Sequence, residues 1–196
     1  ALAMPSLETS LMKWISRTPI MGSIYGSEND SESVKKYVNE HLLAHKSMGE
    51  DATNRMSSYG TSDLEKMAQR FNAAHESAIS FLVPEGKVSR SRASLLFIES
   101  YRELPLLAWP RKLIDAIVEL EESMVKWRHS HARMVERIMG RRIGTGGTSG
   151  VDYLDKTSQY RVFKDLWAVR TILVKSDKRP VLINPDFYGF YSEKEA

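Results

Sequence analysis

The sequence predicts an all-α fold, and three observations support this prediction. Apolar residues recur every three or four positions over most of the chain, which is the period of an amphipathic helix. No stretch keeps up the alternation of apolar and polar residues that is typical of strands. The 196 residues are 42% hydrophobic and 27% charged, as in ordinary globular proteins, so the helices are expected to pack around one core. We therefore expect a single helical domain over residues 1–196.

Four helices are predicted in the first half of the chain, each with an apolar stripe and a recognisable end. Ser6 is a suitable N-cap for the first helix, and Thr18-Pro19 ends it. Residues 84–86, Pro-Glu-Gly, form a turn before the fourth helix. Residues 47–61 mix small and polar side chains and are predicted to be a mobile connection. The four predicted helices span residues 6–16, 31–46, 62–82 and 89–101.

The longest helix is predicted in the second half, over about residues 110–139. Pro110 is favourable in a first helical turn, and Gly140 is a typical terminating residue. One face carries a near-heptad seam of Leu113, Ile117, Leu120, Met124, Trp127, His131, Met134 and Ile138. A glycine-rich loop over residues 140–150, a short helical turn over 151–156, a last helix over 160–174 and a tail over 175–196 follow.

Composition excludes several classes of site and partner. The chain has no cysteine, which excludes disulfides, thiolate zinc sites, iron–sulfur clusters and a thiolate ligand to haem within it. A net charge of +3 gives little reason to expect nucleic acid as a partner. No apolar run approaches the roughly 18–20 residues of a membrane span, and the N-terminus lacks the features of a signal peptide. We expect a cytoplasmic protein. Because the chain does not begin with Met, we expect it to be trimmed, tagged or a fragment of something longer.

His131 is the candidate metal ligand. It lies on the apolar seam, one turn after Trp127, where a polar ring is an unusual choice for packing. A neutral imidazole in an apolar pocket is suited to binding a metal, haem iron above all. The alternative is a buried histidine bonded to a backbone carbonyl. His129, two positions away, faces another side of the helix, so the two rings cannot share one metal.

A second pair of histidines has the spacing of a helical metal site. His41 and His45 are four residues apart, which places them on one face of the second predicted helix. Zinc is conceivable there, but no third ligand is obvious and the segment is polar. Solvated histidines are the expectation.

The glycine-rich loop is predicted to contact a ligand. Residues 144–150 read Gly-Thr-Gly-Gly-Thr-Ser-Gly; no lysine follows as in a phosphate-binding loop, and no strand precedes as in a dinucleotide fold. Glycines allow close approach of the backbone, and the hydroxyls of Thr145, Thr148 and Ser149 can orient polar groups. A plain helix-terminating loop is the alternative.

Basic residues cluster near the end of the long helix. A nucleic-acid surface is one interpretation of this cluster. Acidic residues on the same helix favour a solvated, ion-paired face instead. The basic residues are Arg128, Arg133, Arg137, Arg141 and Arg142, and the acidic ones are Glu119, Glu121, Glu122 and Glu136.

Taken together, these motifs resemble those of the tryptophan 2,3-dioxygenase family of haem proteins. Residues 127–140 match its pattern Trp-Arg-x-x-His-x-x-Met-Val-x-Arg-x-x-Gly, and residues 144–150 match its glycine loop. The flanking segments 101–105, 153–154 and 160–166 are similar too, as are residues 7–18. The resemblance implies a helical bundle of the tryptophan/indoleamine 2,3-dioxygenase type.

The resemblance also implies a cofactor, a reaction and roles for single residues. His131 would be the axial ligand to the iron of haem b, with Trp127 beside it in the cofactor site. Thr145 and Gly146 would lie at the substrate, with the Thr145 hydroxyl near the ammonium group. The reaction would insert both atoms of O₂ across the indole C2–C3 bond of L-tryptophan, giving N-formylkynurenine, the first step of tryptophan catabolism by the kynurenine route.

Two departures from the family pattern limit what can be carried over. Thr148 stands where the family has serine, which keeps the hydroxyl. The family's distal half, with a His-Gln helix over the haem and an arginine for the substrate carboxylate, has no counterpart here, so no catalytic residue is assigned. We expect a C-terminal portion of the enzyme, or a partner for a separate N-terminal segment, within a homotetramer. A haem-dependent hydroxylase of the same superfamily and a non-catalytic haem-binding module are the alternatives.

Overall fold

The all-α prediction is confirmed by the computed structural model, which describes residues 4–57, 63–141 and 150–189. Within those ranges there is no strand, only an isolated bridge between Ile20 and Ser23. None of the helices in these ranges combines the length and the apolar character needed to cross a bilayer. The α-helices are α1 Leu7–Ile15, α2 Asp30–Ser57, α3 Leu64–Leu82, α4 Arg90–Ser100, α5 Ala108–Met139, α6 Gly150–Ser158 and α7 Lys164–Ala168. Short 3₁₀ helices span Pro84–Gly86, Pro105–Leu107, Val169–Ile172 and Pro185–Tyr188.

The predicted helix ends agree with the structure where a specific residue marks them. The Ser6 side chain accepts a hydrogen bond of 3.1 Å from the backbone N–H of Thr9 and caps α1. Helix α5 ends at Met139, and Gly140 follows with φ of 66°, the left-handed conformation that glycine adopts without strain.

The predicted connection over residues 47–61 is wrong for its first part, because α2 continues through Ser57. Its small, polar residues favour a helix only weakly. Tertiary packing against α3 overrides that preference: a Cβ added to Gly49 would lie 3.2 Å from the Phe71 Cβ, so glycine allows the two helices to approach closely. Residues 58–61 lie outside the described ranges.

The predicted last helix, over 160–174, is also too long. Helix α7 occupies only Lys164–Ala168, and a 3₁₀ helix over Val169–Ile172 follows. The Glu121 carboxylate takes the place of helix bonding before α7, because its Oε1 accepts the N–H groups of Val162 at 2.5 Å and Phe163 at 2.9 Å. The apolar residues expected on this segment are nevertheless buried, including Leu166 and Val169.

The chain divides into two compact units, Ala1–Arg111 with Asp165–Ala196, and Lys112–Lys164. The first unit contains a buried aromatic cluster. Tyr37 and Phe97 meet edge to face with ring centroids 5.3 Å apart, and the Phe97 centroid lies 4.6 Å from that of Tyr101 and 5.4 Å from that of Tyr188. The assignment of residues 1–196 to a single domain stays a prediction.

The described part of the tail packs onto this unit. Tyr188 is fully buried; its hydroxyl donates to the Pro19 carbonyl at 3.1 Å and accepts the Gly22 N–H at 2.9 Å. Arg179 donates to the Ser100 carbonyl at 2.7 Å and lies over the Tyr101 ring. The predicted tail therefore includes core residues, and its sequence pattern does not predict the burial of Tyr188.

A mostly buried ion pair joins the first residue of α2 to α4. Arg90 donates to both oxygens of Asp30, each at 3.0 Å, and to the Thr18 carbonyl at 2.9 Å. Ser23 adds a hydrogen bond of 3.1 Å to the same carboxylate. Such a bidentate pair, with further hydrogen bonds around it, fixes the geometry of the groups that it joins.

Candidate functional site

Helix α5 has a buried face and an exposed apolar face. The buried face carries Ile114, Val118, Glu121 and Ala132. The predicted seam lies on a different face, and its C-terminal two-thirds are largely accessible. Exposed fractions are 56% for Leu120, 65% for Trp127, 51% for Met134 and 75% for Ile138. A continuous row of exposed apolar side chains of this size is typical of a binding surface. We call it the α5 stripe: Leu120, Met124, Trp127, His131, Met134 and Ile138.

His131 lies in the middle of the α5 stripe and is partly exposed. Its imidazole stacks on the Trp127 indole, with ring centroids 5.4 Å apart and ring planes only 8° from parallel. The stacking restricts rotation of the imidazole, so the ring has a defined plane while it remains accessible. The alternative interpretation, a buried histidine bonded to a carbonyl, describes His41 rather than His131.

Ion pairs fasten α6 to the C-terminal end of α5. Arg133 donates to Glu136 at 2.5 Å and also to Asp155 of α6. Arg141 donates to Glu136 at 2.8 Å and to Asp152 of α6 at 3.2 Å. Arg133, as the hydrogen-bond donor, lowers the pKa of the Asp155 carboxyl. The predicted ion-paired face therefore exists, and its acidic partners come from α6 as well as α5.

These ion pairs involve residues on both sides of the glycine loop, residues 144–150, along the chain. Arg141 is the last described residue before it, and Asp152 and Asp155 lie just after it in α6. Thr145 and Gly146, the predicted substrate-binding residues, lie outside the described residues, as do Thr148 and Ser149. Their contact with substrate stays a prediction.

Glu121 was expected on a solvated face, and this is wrong. Its carboxylate is 2% exposed and accepts the two backbone N–H groups that precede α7. A buried carboxylate needs such donors, because desolvation is otherwise costly. The signal in the sequence is its register: Glu121 follows Ile114 and Val118 at helical spacing, on the face that becomes buried.

His41 and His45 are buried, so the expectation of solvated histidines is also wrong. His41 Nε2 donates to the Ile172 carbonyl at 2.9 Å, and burial lowers the pKa of His41 to about 4. His45 stacks on His75 of α3, with centroids 5.6 Å apart. Among the described residues, no group of three or more His, Cys, Asp or Glu side chains is arranged to hold a metal ion.

Comparison with known proteins adds to this geometry. The family model for tryptophan 2,3-dioxygenase matches residues 3–173. The chain belongs to the tryptophan 2,3-dioxygenase family. This confirms the family resemblance and the predicted enzyme class at the level of the family, and the helical architecture agrees with it.

Curated relatives match almost the whole chain. A tryptophan 2,3-dioxygenase-like protein of Xanthomonas campestris pv. campestris (strain 8004) is 41% identical over 96% of this chain and 72% of its own length. Tryptophan 2,3-dioxygenase 2 of Ralstonia nicotianae is 42% identical over 96% of this chain and 53% of its own length. Tryptophan 2,3-dioxygenase of Sorangium cellulosum is 42% identical over 96% of this chain and 48% of its own length. The chain thus spans about half the length of the latter two relatives.

Proposed function

We propose that this chain carries the haem-ligating part of a tryptophan 2,3-dioxygenase-type oxidoreductase. The complete enzyme would open the indole C2–C3 bond of L-tryptophan with O₂ to give N-formylkynurenine. One observation carries the proposal: in a chain of this family, the motif histidine His131 is accessible on an apolar stripe and stacked on Trp127. The proposed location is the cytoplasm.

The residues of the α5 stripe suit haem b. Haem offers a large, flat, apolar surface with one metal ion at its centre, and the stripe offers large apolar side chains around one imidazole. His131 would hold the haem iron, and Trp127 would keep the His131 ring in position. When bound, haem b would supply the iron at which O₂ is activated. The apolar stripe would keep water away from that cofactor.

Substrate contacts are proposed for the glycine loop. The hydroxyl of Thr145 would hold the ammonium group of tryptophan, and the absence of a side chain at Gly146 would let the backbone come close to it. The Arg133 and Arg141 ion pairs would serve this role indirectly, because they hold the helices on both sides of the loop.

The remaining part of the pocket would come from another polypeptide segment. No residue of this chain is assigned to the distal side of the haem. The apolar α5 stripe is exposed, so another segment would have to pack over it to exclude water from the pocket. We propose that a separate N-terminal segment, other subunits of a homotetramer, or both provide it.

Replacement of His131 tests the proposal directly. In haem-reconstituted protein, His131→Ala should remove the Soret band of ligated haem, and added imidazole should restore it, because the missing group is then supplied from solution. His129→Ala is the matched control, since His129 is an exposed histidine of the same helix. An unchanged spectrum for His131→Ala would show that another group binds the iron.

Replacement of Thr145 tests the substrate contact in the complete enzyme. Thr145→Ala removes one hydrogen bond to a charged group, worth about 1.5–3 kcal/mol, so KM for L-tryptophan should rise roughly ten- to a hundredfold. Thr145→Ser, which keeps the hydroxyl, should stay near the wild-type value. Equal KM values for the alanine variant and the wild type would exclude this role.

The mass of the product tests the reaction. Ferrous, haem-loaded enzyme supplied with ¹⁸O₂ and L-tryptophan should give a product that contains two labelled oxygen atoms. One labelled atom would indicate a hydroxylase instead, and haem binding without turnover would indicate a non-catalytic module.

A further inference from the structure

A cavity of about 410 Å³ lies between α2 and α3, wholly within the first compact unit. This volume is in the range of small-molecule sites in proteins. The α5 stripe belongs to the second unit, so the proposed function does not use this cavity. We call it the α2–α3 cavity. Its lining includes His45, Met48, Ala68, Phe71, Ala74 and His75.

His45 and His75 are the unusual feature of this cavity. Their rings stack at a centroid distance of 5.6 Å, with planes 22° apart, and the His45 residue is only 6% exposed. Nδ1 of each ring is enclosed and has no hydrogen-bond partner among the described residues. The enclosed Nδ1 atoms cannot reach a ligand, which leaves Nε2 as the nitrogen of each ring that can bind one.

Because Nδ1 is enclosed in both His45 and His75, one tautomer of each neutral ring is favoured. A neutral imidazole has one donor and one acceptor nitrogen. An enclosed N–H without an acceptor costs the full desolvation of a donor, so the proton is better placed on Nε2. Both residues line the cavity, and Nε2 of neither ring is among the enclosed unpaired atoms, so Nε2–H is the donor that each ring has available for a ligand. Two donors of this kind suit an acceptor with two oxygens.

The other lining residues indicate what kind of group the ligand carries besides its two acceptor oxygens. Phe71, Met48 and Ala68 supply an apolar surface, and aromatic rings pack well against such side chains. The other charged lining residues are Lys46 and Glu50 of α2, whose opposite charges offset each other, and the 3₁₀ helix over Val169–Ile172 contributes only the uncharged Thr171.

We propose that the α2–α3 cavity binds a small aromatic carboxylic acid. Its ring packs on Phe71 and Met48, and its carboxylate accepts hydrogen bonds from the His45 and His75 imidazoles. The site is separate from the substrate site proposed above, and it does not depend on haem.

Binding at this site is coupled to proton uptake. Burial, followed by the neighbouring His75, lowers the pKa of His45, so folding favours the neutral form of this ring. A carboxylate beside the pair favours the protonated form of an imidazole. Affinity should therefore rise as the pH falls, by up to about tenfold per pH unit for each proton taken up.

Calorimetric titration of the full chain with benzoate tests the proposal. At pH 5.5 benzoate should bind more tightly than at pH 7.5, by roughly tenfold or more. Benzyl alcohol, which has the ring but no charge, should bind weakly and equally at both pH values. His75→Phe keeps the ring and removes its nitrogens, so it should lose most of the affinity for benzoate. His129→Phe, an exposed histidine outside the cavity, is the control.

Two further variants keep the proposal falsifiable. His75→Gln retains one N–H donor, so it should bind benzoate more tightly than His75→Phe. Ala68→Phe fills the cavity and should abolish binding, with far-UV circular dichroism confirming that it folds. Absence of saturable binding by the wild type would overturn the proposal, as would unchanged binding by His75→Phe. A change of oligomeric state in Ala68→Phe without benzoate binding by the wild type would show that a second copy covers the groove.

Discussion

His41 shows how burial determines the chemistry of a single side chain. The ring is fully buried on α2, and its Nε2 donates to the Ile172 carbonyl at 2.9 Å. Desolvation, with His45 as a nearby positive group when protonated, lowers the pKa of His41 to about 4. The ring therefore stays neutral in the folded protein over a pH range in which it is protonated in the unfolded chain.

This difference predicts a pH-dependent stability. The folded-state pKa lies below the unfolded value of 6.5, so the unfolded chain binds more protons and stability falls as the pH drops from about 6.5 towards 4. Between pH 7 and pH 5 the wild type should lose about 2 kcal/mol of unfolding free energy from this group. His41→Gln, which keeps a donor without titrating, should lose about 2 kcal/mol less over the same interval.

Urea unfolding at the two pH values measures this loss. His129→Gln, at an exposed position, should keep the wild-type pH dependence. An equal pH dependence in His41→Gln and the wild type would assign the effect to other groups.

The burial of His41 is not visible in the sequence. Its segment is polar, and the carbonyl that accepts its hydrogen bond belongs to a residue 131 positions away. By contrast, the stacking of His131 on Trp127 follows from their spacing of four residues along one helix. Site residues that depend on neighbours along one helix are predictable, whereas those that depend on distant backbone are not.

At the scale of elements, the buried residues of α5 and the exposed α5 stripe lie on different faces of one helix. Its buried face carries Ile114, Val118 and Glu121, while the α5 stripe is accessible. Periodicity predicts the length of this helix and its apolar seam. It does not reveal which of two neighbouring faces the protein buries, because both have the same helical spacing.

Glu121 is expected to be important for the segment that follows α6. Glu121→Ala would leave the N–H groups of Val162 and Phe163 without their acceptor and should cost about 2–5 kcal/mol of unfolding free energy. Glu121→Gln keeps one carbonyl oxygen and should cost about half as much. Thermal and urea unfolding followed by circular dichroism measure both.

Glu122→Ala is the control for this pair, because Glu122 is the exposed neighbour of Glu121 on the same helix. It should change stability by no more than about 0.5 kcal/mol. Similar losses in the Glu121 and Glu122 variants would mean that the two backbone hydrogen bonds contribute little.

Helix ends were predictable where a residue has a local reason to stop or start a helix, as at Ser6 and Gly140. The length of α2 was not, since Gly49 is favourable only because Phe71 of α3 packs against it. The short α7 was not either, since a side chain from α5 replaces the helical bonding of residues 162 and 163. In both cases tertiary contacts outweigh local preference.

At the scale of the whole molecule, the Asp30–Arg90 pair links distant parts of the first unit. Arg90→Met would leave the Asp30 carboxylate buried without its partner and should cost about 3–5 kcal/mol of unfolding free energy. The double variant Asp30→Asn with Arg90→Met removes the unpaired charge and should recover part of that loss.

Equilibrium unfolding of the two variants measures this coupling, with Arg70→Met on the exposed side of α3 as the control. A double variant as unstable as Arg90→Met alone would show that the hydrogen bonds to Thr18 and Ser94 matter more than the charge.

The bracket of ion pairs around residues 142–149 has a consequence for how the protein responds to its solvent. Arg141 and Asp152 are each more than half exposed, so dissolved ions compete with their attraction. Concentrated salt should thus weaken the attachment of α6 to the C-terminal end of α5 while leaving the buried clusters of the molecule intact. The strength of this attachment would then follow the ionic strength of the solvent, without any change in the sequence of α5 or α6.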